Sequence, residues 1–417
     1  MFFLALSIAF VVATAQTNDT LKITLQQADS VFLKNNLLLL ASQYGVQSQK
    51  ALEIQAKLYP NPVFTAEFNA YDPQNNKEFH IGSTGEKIFA VEQLILLGGK
   101  RSAAIKIAKQ NTQLAQLEFE DLLRNLQLQL HICFYTLQQQ SFVLNKYQQQ
   151  LTLLDTLIVI YETQAAKGNI PPKDVVRLKS AYFTINNDKA AFARQYAEEN
   201  KKIQILLQQQ AYIKPIISEA SYSNFERQPL LDSMLTLALA NRPDYKIADA
   251  EVMLAQYNLR AQKAQAVPDI NLFSNYDQRG GAFNNQINAG ISMPLPLWNR
   301  NQGNIKAAQW QQKSTQVLQQ QKSIEINSEV REAFANMLRS IQEYKKVKQF
   351  YNDDFEIVAQ GVSENFKNRN ISIIEFMDFF EAYNESVAER QRVNIQLITG
   401  AEWVNYVTAA KVYKYEK

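Results

Sequence analysis

The side chains that usually carry chemistry are scarce in this chain. Its 417 residues hold one cysteine, Cys133, and two histidines, His80 and His131. A lone cysteine excludes an internal disulfide framework and a cysteine-based zinc site. Cys133 falls in an apolar helical stretch, where a free thiol behaves as a small buried hydrophobe. His131 stands two positions before it, a spacing that shares no helix face, so the two make a poor chelate. Both histidines read as solvated or packed side chains. The 6 methionines are scattered, which leaves no soft-metal relay. Gly98-Gly99 and Gly280-Gly281 read as turn glycines and form no phosphate-binding loop. No group of residues offers acid, base and nucleophile together, so the chain does not read as an enzyme. Neither a cofactor nor a built-in metal site is expected.

Charge of one sign is also missing. Lys+Arg 43 against Asp+Glu 40 leaves a net charge of +3, too balanced for a nucleic-acid surface. Past the N-terminus, nothing approaches the roughly 20 continuous apolar residues of a membrane helix. If the chain crosses a bilayer, it must do so with strands. Residues 1–15 read as a signal peptide: an apolar run from Phe2 to Val12 precedes Ala13-Thr14-Ala15. The charged residue usual at the start of such a signal is absent, and no cysteine follows the small residues. No lipid is therefore expected on the mature N-terminus.

What is present is a plan stated twice. The first statement reads Leu58-Tyr59-Pro60-Asn61-Pro62, then Leu97-Gly98-Gly99-Lys100-Arg101. The second reads Asn241-Arg242-Pro243, then Val267-Pro268-Asp269, then a Pro-rich segment from Met293 to Asn301. Matching positions lie roughly 200 to 208 residues apart, so a whole half-molecule is duplicated. We divide the chain into residues 16–215 and 216–417, two repeats intertwined as one body.

Each repeat predicts a helix, a strand pair and a long helical hairpin. A helix over residues 24–58 stops at Pro60 and Pro62, because proline lacks the amide donor and restricts its predecessor. Phe64, Ala66, Phe68 and Ala70 then alternate with polar residues, the period of a strand. A return strand ends near Leu94. Residues 101–167 contain neither proline nor glycine before the turn at Gly168, which allows one helix about 100 Å long. Leu144, Tyr147, Leu151, Leu154, Ile158, Tyr161 and Ala165 follow a 3-4 spacing there, the seam of a coiled coil. In the second repeat the matching elements are a helix over residues 229–267, strands at Ile270 and Ile287, and a helix over residues 304–367. Phe334, Met337, Ile341 and Tyr344 hold the same seam, with Lys348 its one polar member.

Four strands cannot lie in a bilayer as an open sheet, because each edge leaves unpaired amides and carbonyls in hydrocarbon. Bacterial transmembrane barrels have at least eight strands. Three copies of the chain give twelve, with a matching cylinder of helices. The expected fold class is thus mainly α with a small β part, built from long antiparallel hairpins and four strands per chain. A trimer completes a twelve-stranded β-barrel and an α-barrel. A soluble coiled-coil scaffold with ordinary hairpins is the alternative of a different class.

The chain resembles the TolC-like outer-membrane efflux family over almost its whole mature length. The segment Met293-Pro294-Leu295-Pro296-Leu297-Trp298-Asn299-Arg300-Asn301-Gln302-Gly303 is similar to the branch serving heavy-metal resistance–nodulation–division pumps. That resemblance implies a homotrimeric duct in outer-membrane lipid with a periplasmic helical extension. It further implies a periplasmic adaptor and an inner-membrane pump as partners, and metal cations as cargo. Drugs or secreted polypeptides are the alternative cargo. Ile371-Ser372-Ile373-Ile374-Glu375-Phe376-Met377-Asp378 resembles the family segment whose acidic residues line the periplasmic constriction, which makes Glu375 and Asp378 gate candidates. In the first repeat Asp174 matches Glu375 and Arg177 matches Asp378. Acidic residues in a helix's first turn also complement its dipole, so a capping role stands beside the gating one.

Overall fold

The computed structural model describes residues 20–216, 225–280, 283–351, 354–368 and 370–414. The signal expected over residues 1–15 lies outside them. A short strand, β1 (Thr20–Ile23), leads to Thr24, which caps helix α1 (Leu25–Asn35). The Thr24 hydroxyl accepts from the Gln27 amide while the Gln27 side chain accepts from the Thr24 amide, satisfying two donors that a helix start leaves open. Helix α2 (Leu37–Lys57) follows. The single helix expected over residues 24–58 is therefore broken at Asn36, whose ψ is 116°. Its side-chain amide donates to the Leu206 carbonyl (3.0 Å) and its side-chain oxygen accepts from the Leu38 amide (3.1 Å). A polar side chain that bonds to nearby backbone competes with helix continuation.

Beyond the two prolines come β2 (Val63–Phe68), a small ribbon of β3 (Tyr71–Asp72) and β4 (Lys77–Glu78), and the return strand β5 (Glu86–Ile95). Gly98 turns the chain at φ 66°; a Cβ there would stand 2.7 Å from that of Val267, so only glycine fits. Helix α3 (Lys100–Ala166) runs 67 residues, as the absence of breakers requires. Helix α4 (Pro172–Leu207) returns, and β6 (Tyr212–Pro215) pairs in parallel with β1.

The second repeat carries α5 (Leu231–Asn241) and α6 (Pro243–Gln265), separated at Arg242. This corrects the continuous helix expected over residues 229–267. The residue before a proline is pushed out of the helical region, and the Arg242 guanidinium instead grips Asp244 at 2.7 and 2.9 Å. Strands β7 (Ile270–Arg279) and β8 (Phe283–Ser292) follow, then α7 (Gln302–Phe350), α8 (Asp354–Lys367) and α9 (Ile373–Thr408). The expected helix over residues 304–367 thus ends at Phe350 and resumes at Asp354. Around this break Lys348 reaches Glu226 at 2.7 Å, and the Tyr351 ring stacks on Phe355 beneath the Arg390 guanidinium.

Four strands form one antiparallel sheet in the order β2-β5-β7-β8. Its central pairing, β5 with β7, joins the two repeats through a ten-residue ladder from Glu86↔Arg279 to Ile95↔Ile270. The β1–β6 and β3–β4 pairs were not anticipated, so the described residues hold eight strands rather than four.

The chain divides into two compact units, each drawing on both repeats. One contains Leu39–Leu122 and Leu239–Ser328 and holds the four-stranded sheet. The other contains the residues up to Leu38, Leu123–Ala238 and Glu329–Lys417, with most of the apolar interior. Among the described residues, no helix is long and apolar enough to cross a membrane.

Candidate functional site

The sheet sorts its side chains by face. Cross-strand register places Phe64, Phe68, Phe89, Val91, Leu272, Tyr276, Ile287 and Ile291 on one side. Phe89 stacks between Phe64 and Tyr276, with centroids 6.3 Å away on each side. The opposite side is more polar, with Thr65, Glu67, Glu92, Asn271, Asn275, Asp277 and Asn288 beside Val63, Ile88, Leu94 and Phe273, and Asn271 donates to Glu92 at 2.9 Å. The apolar face is bare: Phe64 is 66% exposed, Ile287 75% and Ile291 71%. Strands β2 and β8 are outermost, and each has a strand partner on one side only. A sheet with one greasy face and two open edges can sit in hydrocarbon only after further strands close it.

At the sheet's helical end, Lys100 and the Leu97 amide both hold the Asp269 carboxylate, at 2.7 and 2.9 Å. That tie fixes where β5 leaves and β7 begins. Arg101 donates to the Lys57 carbonyl and covers the Tyr59 ring at 4.0 Å, which joins α3 to the end of α2. In the loop between β2 and β5, the buried His80 lies 2.8 Å from Asp72 and 2.9 Å from Thr84. The Asp72 carboxylate, which accepts from Asn75, His80 and two backbone amides, is held far below the usual carboxylate range.

The second candidate surface lies at the two helical turns. After α3, the Gly168 and Asn169 amides donate back to the Ala165 and Gln164 carbonyls; after α8, the Asn368 and Asn370 amides donate to the Glu364 and Asn365 carbonyls. Leu154, Leu157, Leu178, Phe366, Ile373, Phe376 and Phe380 form one buried cluster that gathers both turns. Phe366 is stacked between Tyr161 and Phe376, at 5.5 and 4.1 Å.

All four expected tip residues flank that cluster. Asp174 and Arg177 occupy the third and sixth positions of α4, and Glu375 and Asp378 the same positions of α9. Ser372 and Glu375 form a reciprocal cap: the Glu375 carboxylate accepts from the Ser372 amide at 2.8 Å, and the Ser372 hydroxyl accepts from the Glu375 amide. These bonds hold the Glu375 carboxyl below its usual range. Asp174 is half-buried and follows Pro171, which offers no side-chain cap. Arg177 and Asp378 are exposed. Among the described residues, no ion pair joins Asp174, Arg177 or Asp378 to another side chain. The alternative role of Glu375, capping, is thus met directly, whereas Asp378 and Arg177 keep free charges.

Sequence reasoning missed a buried ionic triad. His131 on α3 lies 2.9 Å from Asp29 on α1 through Nε2, and 2.9 Å from Glu402 on α9 through Nδ1. Burial alone would lower the imidazole's pKa, but the two carboxylates prevail and raise it to about 9. No local signal could reveal this, because the partners lie 102 residues or more from His131 in sequence. Its neighbour Cys133 is buried, and burial, reinforced by Glu199, pushes the thiol up to about 12, which makes it unreactive. Among the described residues, no group of three or more His, Cys, Asp or Glu is arranged to hold a metal ion.

Comparison with known proteins agrees with this architecture. Residues 234–353 match the family described as outer membrane efflux protein. The cobalt-zinc-cadmium resistance protein CzcC of Cupriavidus metallidurans is 25% identical over 293 residues, 69% of this chain and 66% of CzcC. The cation efflux system protein CusC of Escherichia coli K12 is 24% identical over 259 residues, 59% of this chain and 54% of CusC. The chain therefore aligns with about two thirds or less of either relative's length. In fold, the CmeC outer membrane channel of Campylobacter jejuni superposes with a TM-score of 0.75 at 12% identity, covering 94% of this chain and 87% of that one. The resemblance drawn from the sequence motifs holds.

Proposed function

We propose that the chain is a TolC-like outer-membrane efflux protein, three copies of which close into a duct for metal cations. The observation that carries this reading is the four-stranded sheet, whose two outer strands are open while its apolar face is bare. Edge joined to edge, three such sheets make a twelve-stranded barrel, within the range of closed bacterial barrels. The polar side chains of the other face then line the lumen. The helices continue the duct into the periplasm, where an adaptor and an inner-membrane resistance–nodulation–division pump deliver cargo. Export is passive in the duct itself, along a lumen lined by those polar side chains. Metal cations are favoured as cargo because the sequence relatives CzcC and CusC are named for cation efflux and resistance.

At the periplasmic tip, Asp378 carries the gating charge. In a trimer it stands as a ring of three carboxylates that attracts cations and repels itself when empty. Arg177, at the matching depth of α4, is the cation available to answer that ring from a neighbouring hairpin. Asp174 and Glu375 lie one turn nearer the tip and add field to the same opening, Glu375 from within its cap. Two measurements test the proposal. A deletion strain challenged with zinc, cobalt, copper and several drugs should lose metal tolerance; intact metal tolerance with new drug sensitivity would reject the cation reading. In planar bilayers, Asp378→Asn should raise basal conductance and weaken cation selectivity, and conductance matching the parent would remove Asp378 from the gate.

A further inference from the structure

Basic residues gather at one level of the sheet-bearing unit. The four-stranded sheet ends where α2 and α6 arrive and α3 and α7 depart. Within about three helical turns of that junction, residues 47–62, 96–110, 255–269 and 293–312 hold ten Lys and Arg against two acidic residues, Glu53 and Asp269. Asp269 is already held by Lys100 at 2.7 Å. The whole chain carries only +3, so its remainder is acidic on balance. The reversal is abrupt on α3: Lys106 and Lys109 give way to Glu118, Glu120 and Asp121, with no basic residue from 111 to 122. Lys57, Lys106, Lys109, Arg260, Lys263 and Lys306 are all exposed, and among the described residues none of them forms an ion pair. Lys106 with Lys109, and Arg260 with Lys263, stand three apart, so each pair shares one helix face where like charges repel. A solvated helix face ordinarily mixes signs. An uncompensated one calls for a negative partner.

Position identifies that partner. The apolar stripe of β8 continues past the strand: Ile287 and Ile291 are followed at alternate positions by Met293, Leu295 and Leu297, all exposed, and then by Trp298, 86% exposed. Arg300 stands two residues beyond that indole. At the same junction Tyr59, 71% exposed, follows Lys57 and lies under the Arg101 guanidinium. Trp and Tyr bordered by Lys and Arg mark the level where hydrocarbon meets headgroups. We infer that this basic collar binds the phosphate headgroups of anionic phospholipids in the leaflet next to the helices. The headgroup layer is about 5–8 Å deep on each side, and charge is felt about 8 Å farther at physiological salt. Lys109, about 14 Å along α3 from Lys100, stands at the limit of that reach, where the basic run of α3 ends. A second copy presents the same sign at the same level and cannot neutralise the collar; three copies concentrate it. A duct for cations gains nothing from positive charge in its path, which leaves the outer surface for these residues.

This inference rests on the membrane-embedded duct proposed above, and its test separates the two. The full chain keeps Trp298 as its sole tryptophan through Trp310→Phe and Trp403→Phe. It is reconstituted in phosphatidylcholine vesicles containing either brominated phosphatidylglycerol or brominated phosphatidylcholine. Bromine quenches indole fluorescence on contact, so the two lipids report which headgroup gathers beside Trp298. Phosphatidylglycerol should be preferred by at least about fivefold, the effect of one basic residue near an anionic surface. High salt should bring that ratio near unity with no residue changed, whereas inorganic phosphate should compete no better than sodium chloride of equal ionic strength. Lys106→Gln, Lys109→Gln, Lys263→Gln and Lys306→Gln together should abolish the preference at low salt. Arg at the same four positions should keep it, which separates lost charge from lost fold. Equal quenching by both lipids in the parent overturns the collar and leaves the duct standing; no quenching by either overturns both. A preference that survives the four Gln changes, or free phosphate that competes specifically, also overturns it. So does altered cation selectivity in planar bilayers with the lipid preference intact, because the lysines would then line the lumen. Binding to cell-wall sacculi that the Gln changes remove, without any lipid preference, would hand the collar to peptidoglycan carboxylates instead.

Discussion

The cluster at the helical turns and the apolar face of the sheet treat the same kinds of residue in opposite ways. Around the helical turns, Leu154, Leu157, Phe366 and Phe376 are at most 1% exposed. On the sheet, Phe64, Ile287 and Ile291 are more than 65% exposed, and Trp310 on α7 is nearly as open. Burying one such side chain is worth about 1.5–3 kcal/mol. A row of them left in water would therefore be a heavy liability, whereas the same row against lipid or a second copy is not. The cluster at the turns is complete within one chain; the sheet's apolar face, on the reading proposed above, is completed by lipid and neighbouring copies. A disturbance in the first should follow the protomer anywhere, and one in the second should show only in the membrane or the assembly.

The largest effect should come from the helical unit's buried tie. In His131→Leu the buried Glu402 carboxylate and the half-buried Asp29 carboxylate lose the cation between them, a loss of up to about 3–5 kcal/mol. Denaturant unfolding in detergent, followed by helical circular dichroism, should register it whether or not trimers are present. The sign with pH follows from a folded pKa near 9 against an ordinary 6.5. The tie contributes fully below 6.5 and fades as pH rises through 9. Parent stability should decline across that window while the Leu variant stays comparatively flat. An identical slope in both proteins would show that His131 is not the titrating group.

A smaller and more conditional effect belongs to the sheet. Ile287→Lys places a charge on the apolar face and should cost about 2–4 kcal/mol per chain if that position sits near the bilayer midplane. Asn288→Lys, its neighbour on the polar face, should insert nearly as well as the parent. Recovery in the outer-membrane fraction measures both. Equal losses would mean that the two faces are not divided between lipid and lumen, which erases the contrast between the units.

Those contrasts were only partly legible beforehand. The absence of proline and glycine over residues 101–167 suffices for α3, because nothing there interrupts a helix. The period of two around Phe64 and Ile287 likewise marks the sheet. The break at Arg242 was available from Pro243, since the rule about the residue before proline is local. The break at Asn36 was only half available, because beside its local bond to the Leu38 amide the side chain is held by the Leu206 carbonyl, 170 residues away. The four-residue pair β1–β6 escaped for the same reason: a short strand has no period of its own, and its partner comes from the far end of α4. At the tip, the order of Asp174, Arg177, Glu375 and Asp378 could be read, but Glu375's bond to Ser372 required backbone geometry.

That bond makes possible the smallest and sharpest separation, between a charge that gates and a charge that merely ends a helix. Glutamine can occupy the third position of a capping box as glutamate does, because both present an oxygen to the cap residue's amide. Glu375→Gln therefore removes charge while keeping the geometry, and Ser372→Ala removes the reciprocal hydroxyl while keeping the charge. The Glu375 carboxyl lies below its usual 4.5, so its share of stability is present above that value and is lost as pH falls through the depressed one. The Gln variant should lack that acid-side loss and otherwise unfold like the parent. Ser372→Ala should lose about 1 kcal/mol. If Glu375 serves the opening as well as the cap, Gln at 375 should alter cation selectivity in bilayers with stability intact, and Ala at 372 should do the reverse. Selectivity unchanged in the Gln variant would leave Glu375 as a helix cap and assign the tip's field to Asp378, the exposed carboxylate with no local bond to explain it.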